Sequence, residues 1–250
     1  MVMNSIKNCG LFLMLVLMTV GCIPYKTIVN YNEDAARFKT PQAISNYKPL
    51  QVEPNDILQI DVVSIESEAV AIFKDLQVNG FTVSPEGNID FPLVGTIEVG
   101  GSTLEEVKLK LLSELKTYFI KAPTVNVRLA NFKINVNGEV NNPGIFSINN
   151  DRVTIIEAIT LAGDFTSFSR RDSVMIIREQ GNSRVFGYVD FNSSETLNSP
   201  YFYLKQNDVV YVKPNKTKLG TIRNRESKIV PFVSVGLSLI ILTITVFNLR

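Results

Sequence analysis

Hydrophobic positions change period several times along this chain, and each change marks an element. Over 57–62, Leu58, Ile60 and Val62 alternate with Ile57, Gln59 and Asp61, the two-residue period of a strand with one buried face. Pro54-Asn55-Asp56 just ahead of it reads as a turn. Over 83–101 the sequence VSPEGNIDFPLVGTIEVGG holds two short apolar runs broken by Pro-Glu-Gly, Phe-Pro and Val-Gly. Pro85 presets φ at the first corner and Gly87 supplies a φ > 0 position, so Val83 and Ile89 are expected on either side of one tight hairpin turn. Pro92 cannot donate to a ladder and Gly95 admits close backbone approach, which puts this hairpin at a sheet edge or bulge with Phe91-Pro92-Leu93 exposed. The period then turns helical through Leu104, Val107, Leu111, Leu112 and Leu115. Ser102 as N-cap and Glu105 at N3 suit a capping box, and Pro123 stops a helix of about 17 residues before Val125, Val127 and Leu129 resume alternation.

The second half repeats the mixture in another order. Ile134 and Val136 alternate up to Gly138, and Pro143-Gly144 has the signature of a type II turn. A short helix is predicted over 153–162, with Ile155, Ile156 and Ile159 inward and Gly163 at its C-cap. Val174 and Ile176, then Val185, Tyr188 and Val189, give further strands. Strand, turn, strand, helix and more strands is the β-grasp order. Residues 204–214, LKQNDVVYVKP, echo 52–62 in form, an Asn-Asp turn feeding an apolar strand; shared turn chemistry accounts for the echo better than a repeat does.

Both ends are apolar. Lys7 precedes an uncharged run from Leu11 to Val20, then Gly21-Cys22; a basic start and a short apolar core describe a cleaved secretory signal rather than a span. Ile229 to Phe247 is 19 residues without a charge, about 28 Å as a helix, and reads as a membrane helix. Lys213, Lys216, Lys218, Arg223, Arg225 and Lys228 precede it with Arg250 alone behind, the reverse of the charge bias of an inner-membrane stop. Ser234, Ser238 and Thr245 fall on one stripe of this helix, either lining a lumen or bonding back to their own carbonyls.

Composition then removes chemistry. With 250 residues, 45% hydrophobic, 20% charged and a net charge of +1, the chain offers no basic face for nucleic acid. Histidine is absent, and the two cysteines, Cys9 and Cys22, lie in the first 22 residues. The commonest general base, a thiol nucleophile and a zinc site in the folded body are thereby excluded. Glu105 and Glu106 are adjacent on a helix and point apart. No catalytic residue, metal ligand or cofactor is expected.

The motifs nevertheless fall in a known order. Val52-Glu53-Pro54-Asn55-Asp56-Ile57, the hairpin with Gly87, Pro92 and Gly95, then Gly101-Ser102-Thr103-Leu104 and Pro123 resemble the polysaccharide biosynthesis/export family, Wza-type lipoproteins that carry capsule or exopolysaccharide across the outer membrane. Gly138-Glu139-Val140, Pro143-Gly144 and Ala162-Gly163 resemble that family's ligand-binding β-grasp module, SLBB. The resemblance implies an α+β chain: signal 1–21, tether 22–46, export domain 47–130, β-grasp domain 131–214, basic linker 215–228 and membrane helix 229–247. It implies a homo-oligomeric ring in the outer membrane, an exported polysaccharide as cargo, and an inner-membrane co-polymerase or tyrosine-kinase-type partner. Gly21-Cys22 looks like a lipobox with Cys22 acylated, although Thr19 stands where Leu is usual, and Ile23 fits outer-membrane sorting. No sugar contact is assigned among Phe165, Phe168, Tyr201 and Tyr203, which suit core or subunit contact equally. The alternative is a membrane-anchored periplasmic accessory protein that binds glycan or a partner without a pore of its own.

Overall fold

The alternation at 57–62 folds as a strand with its apolar phase inward. The computed structural model describes residues 30–31, 41, 43–64, 80–181, 183–218 and 230–248. The first unit comprises β1 (Ile57–Val63), β2 (Phe81–Thr82), β3 (Asn88–Phe91), β4 (Gly95–Glu98), α1 (Leu104–Leu115) and β5 (Thr124–Leu129). Leu58, Ile60 and Val62 are buried, and β1 sits between β2 and β5, antiparallel to both. Val107, Leu111 and Leu115 bring α1 down on this sheet as one stripe.

Three local expectations shift. The turn at Pro85-Glu86 forms, with Gly87 N–H donating to Ser84 O at 2.9 Å, but β2 before it pairs with β1. The hairpin is therefore β3–β4, and Pro92 lies in its turn, with Leu93 at φ 68° and Gly95 at φ 86°. Phe91 is buried against Phe81, ring centres 4.9 Å apart, so Leu93 is the large apolar side chain left exposed at that tip. The capping box falls one residue later than expected: Glu106 N–H donates to Thr103 Oγ1 at 3.3 Å, and Thr103 N–H to Glu106 Oε2 at 2.7 Å. Ser102 is already engaged, giving its N–H to Val99 O and taking Val52 N–H on its carbonyl. The helix has 12 residues rather than about 17, because a turn after Leu115 carries Phe119 into the core.

A second, separate core gathers residues 132–212. Its elements are β6 (Lys133–Gly138), β7 (Gly144–Ser147), β8 (Val153–Thr154), α2 (Ile155–Leu161), β9 (Val174–Gln180), β10 (Ser183–Val189), β11 (Tyr203–Leu204) and β12 (Val209–Val212). The five-stranded sheet runs β10-β9-β12-β6-β7, parallel only where β12 meets β6 at its centre, with β8 and β11 a separate pair. First and last strands parallel at the centre, each flanked by an antiparallel neighbour, is the β-grasp arrangement. Gly138 closes β6 at φ 94°, and a Cβ there would lie 2.0 Å from Val212 O. No other residue permits that approach.

The type II turn at Pro143-Gly144 is not formed. Gly144 has no positive φ and opens β7 opposite Val136. The chain reverses instead at Asn141-Asn142, held to the end of α2 by Asn142 N–H to Ala162 O at 2.8 Å and Asn141 Nδ2 to Gly163 O at 2.7 Å. The predicted helix also starts late, at Ile155, because Val153-Thr154 pairs with β11 and Thr154 then caps α2 onto Glu157.

The C-terminal helix, α3, is formed over Val230–Asn248. Among the described residues no helix is long and apolar enough to cross a membrane. The span expected from the sequence is thus not established by the fold. The predicted signal, Cys22 and most of the 215–228 linker lie outside the described residues. Where the predicted tether is described, it is docked: Tyr31 N–H donates to Phe191 O at 3.0 Å, and Asn46 Nδ2 to Leu197 O and Ser199 O at 2.9 Å each.

Candidate functional site: the interdomain joint and an aromatic cleft

Two turns of the same chemistry meet where the units join. Asn55 at φ 69° precedes Asp56, and Asn207 at φ 62° precedes Asp208. Each aspartate closes on its own turn, Asp56 Oδ2 accepting from Glu53 N–H and Asp208 Oδ2 from Lys205 N–H, both at 2.8 Å. In each turn the carboxylate reaches back three residues to a backbone N–H, so a short side chain supplies the acceptor that closes it. Asn131 ties them together: its Oδ1 accepts from Ile57 N–H at 2.9 Å, its Nδ2 donates to Asn55 O at 3.2 Å, and its carbonyl accepts from Gln206 Nε2 at 2.8 Å. Lys133 N–H gives to Gln206 Oε1, also at 2.8 Å. A polar groove over this joint is lined by Glu53, Asn55, Lys133, Glu179 and Gln206.

The two aspartates differ in what neutralises them. Asp208, fully buried, takes Arg178 in a fork, Nε to Oδ1 at 2.9 Å and Nη2 to Oδ2 at 2.6 Å, while Nη2 also reaches Tyr203 O at 3.1 Å. Asp56 is also buried, and among the described residues no cation forms an ion pair with it. Burial pushes its carboxyl up to about 6, a rise opposed by the Glu53 backbone bond and reinforced by the Glu53 charge. Arg178 was not singled out from the sequence, yet a signal exists. In VMIIREQ it shares the phase of Val174 and Ile176, so the strand turns it inward and a carboxylate must meet it.

A second buried carboxylate joins the β-grasp unit to the chain leaving it. Glu139 accepts from Thr166 Oγ1 at 2.6 Å and pairs with Lys218. Burial alone would raise its carboxyl, but the Lys218 ammonium and Thr166 hydroxyl outweigh it and hold Glu139 below the usual range.

Above Arg178 lies a cleft of about 360 Å³ between residues 45–50 and the β-grasp unit. Tyr47 and Tyr203 meet edge to face, ring centres 5.0 Å apart, and Arg152 lies 5.8 Å from the Tyr47 ring centre. Tyr201 covers Arg178 at 5.3 Å. The opposite face of the five-stranded sheet carries two transverse rows set by register. Ile145, Asn135, Val209, Ile177 and Phe186 form one; Asn137, Tyr211, Met175 and Tyr188 form the other. Phe186 and Tyr188 on the edge strand β10 are more than half exposed.

The other sequence-derived positions scatter. Pro54 and Asp56 lie at the joint, Gly87, Pro92 and Gly95 in turns of the first unit, Pro123 buried before β5, Gly138, Pro143 and Gly144 around the β6–β7 reversal, and Gly163 just past α2. They shape backbone and do not converge on one pocket. On α3, Ser238 Oγ donates to Ser234 O and Thr245 Oγ1 to Ile241 O, each at 2.8 Å, so those two hydroxyls spend their protons on their own helix. Among the described residues no group of three His, Cys, Asp or Glu side chains could hold a metal.

Such an arrangement, with two small cores, a cross-tied joint and an open sheet face, defines a two-unit α+β protein. Comparison with known proteins gives it a family. Residues 45–130 match the polysaccharide biosynthesis/export protein model, and residues 132–212 match the SLBB domain model. The chain belongs to the Wza-type polysaccharide export family. It is similar to the EPS I polysaccharide export outer membrane protein EpsA of Ralstonia solanacearum, 30% identical over 142 residues, covering 56% of this chain and 37% of that protein. It is also 37% identical over 89 residues to the protein of the same name from Ralstonia nicotianae, covering 34% of this chain and 23% of that protein. The chain thus spans well under half the length of these curated relatives. The family is one of export proteins rather than an enzyme class.

Proposed function

We propose that this chain is one subunit of an oligomeric outer-membrane conduit that passes a capsular or extracellular polysaccharide from the periplasm to the cell surface, and that it carries out no chemistry on the polymer. The observation that carries this reading is the succession of an export module and an SLBB module in one chain, over 45–130 and 132–212. One copy encloses no passage of its own among the described residues, so a conduit needs several, and head-to-tail contacts that close make a ring. The rows ending at Phe186 and Tyr188 suit such a contact, since interface cores are enriched in aromatic side chains and Met. The docked segment around Asn46 and the lock between Glu139 and Lys218 suit modules held at fixed angles around an axis.

Cys22, acylated, anchors the N-terminus in this reading, and the bulk of the chain is periplasmic. The whole charge-free stretch 229–247 of the sequence is the membrane-facing segment. Leu237, Leu239, Ile240, Leu242 and Ile244 are all exposed on α3, an apolar surface suited to lipid or to neighbouring helices. Ser234, Ser238 and Thr245 are the lumen-facing candidates, and an inner-membrane co-polymerase or kinase-type partner delivers the polymer. Removing the gene tests the reading. Polymer should then be made but accumulate in the periplasm, with surface polymer lost. Surface polymer that persists with altered length or amount would instead indicate an accessory protein without a pore.

A further inference from the structure

The cleft above Arg178 has the makings of a site that recognises acidic sugar units. Its charge is one-sided: Lys48, Arg152 and Lys205 border it against Asp151 alone, since Arg178 is already balanced by Asp208. Its floor is preorganised. The Arg178 side chain is only 7% exposed and is fixed by Asp208 through Nε and Nη2, while its third nitrogen, Nη1, takes part in none of those bonds. A guanidinium locked on one side presents its remaining N–H groups without losing rotamer freedom on binding. Tyr47 and Tyr203 supply apolar ring surface for the C–H face of a pyranose, and Gln180, in the same lining, supplies an amide for hydroxyls. The volume of about 360 Å³ admits one or two sugar residues.

We propose that this cleft binds a carboxylate-bearing saccharide, a hexuronate unit of the passing polymer, with its carboxylate toward Arg152 and Arg178 and its ring against the tyrosines. The inference rests on the export reading and adds the chemical class of cargo that the β-grasp unit holds. Neutral sugars would leave the excess positive charge unmatched, and a bare anion would leave the tyrosine surface unused.

Calorimetric titration of the detergent-solubilised full chain tests it, using oligogalacturonate, maltoheptaose and tripolyphosphate as probes at low and at high salt. Oligogalacturonate should bind about tenfold or more tightly than maltoheptaose, and Arg152→Ala, at an exposed position, should remove about tenfold of that affinity. Lys205→Ala should act in the same direction, while Arg184→Ala, on the far face of the sheet, should change nothing. Equal binding of the acidic and neutral oligomers, or affinity unchanged in both Arg152→Ala and Lys205→Ala, overturns the proposal. Tripolyphosphate binding as tightly as the uronate overturns the saccharide assignment. Export is read separately: surface polymer made by a chain that binds no uronate removes this inference and leaves the conduit, while uronate binding by a chain whose loss does not impair export does the reverse.

Discussion

Asp56 and Asp208 sit in turns of the same build, and among the described residues only the second has an arginine. The difference fixes a pH dependence with a definite sign. Because the folded Asp56 carboxyl is raised to about 6, the folded state holds its proton more tightly than the unfolded chain does. Its contribution is therefore fully present below the ordinary aspartate range and is lost as pH rises through about 6. Urea unfolding of a fragment or of the full chain at pH 7 and pH 5 should show about 1 kcal/mol more stability at the lower pH from this group. Asp56→Asn, which keeps an oxygen for Glu53 N–H, should flatten that slope. An unchanged slope in the variant would mean that Asp56 is ionised throughout. Glu139 has the opposite sign, its stabilisation being lost only as pH falls below the usual glutamate range, so the two groups act in separate windows.

At the scale of elements, two glycines of the family pattern answer to different physics. Gly95 turns the β3–β4 hairpin at φ 86° with open space around it, so Gly95→Val meets backbone strain alone, about 1–2 kcal/mol. Gly138 joins β6 to β12, where even a methyl group would strike Val212 O, so Gly138→Ala should cost about 3 kcal/mol or more and loosen the parallel pair at the centre of the sheet. Urea denaturation of the two variants should rank them in that order; the reverse ranking would mean that the hairpin tip is packed and the strand junction yields. Much of this was legible beforehand. The inward phases of β1, β5 and β6 and the stripe on α1 follow from period alone, because burial of one face imposes them. What escaped was set by partners far along the chain. Val83 gives its N–H to Asp56 O, which assigns β2 to β1 rather than to β3. Ser102 is engaged by Val52, which moves the cap to Thr103, and Asn141 and Asn142 are taken by the end of α2, which relieves Gly144 of any turn. Arg178 escaped for the same reason, its meaning lying in Asp208 thirty residues on.

For the whole molecule, the question is what several copies make together. The sheet face with Phe186 and Tyr188 at its edge, the exposed sides of α3 and the β3–β4 hairpin are surfaces left open among the described residues. A ring would cover them in different ways: aromatic rows between neighbouring β-grasp units, hairpins stacked in the export units, helices side by side in lipid or around a lumen. Tyr188 carries Lys213 at 5.0 Å from its ring, so a carboxylate introduced at position 188 has a cation beside it, while one at either position 186 or 188 breaks an apolar seam. Electron microscopy of detergent-extracted full-length particles addresses this directly, with the Phe186→Glu, Tyr188→Glu double variant alongside. Closed rings with a central passage should be seen for the unaltered chain, and the variant should remain folded, lose the rings and lose surface polymer. Particles that are monomeric in the unaltered chain while surface polymer is exported normally would show that the conduit is built by another protein.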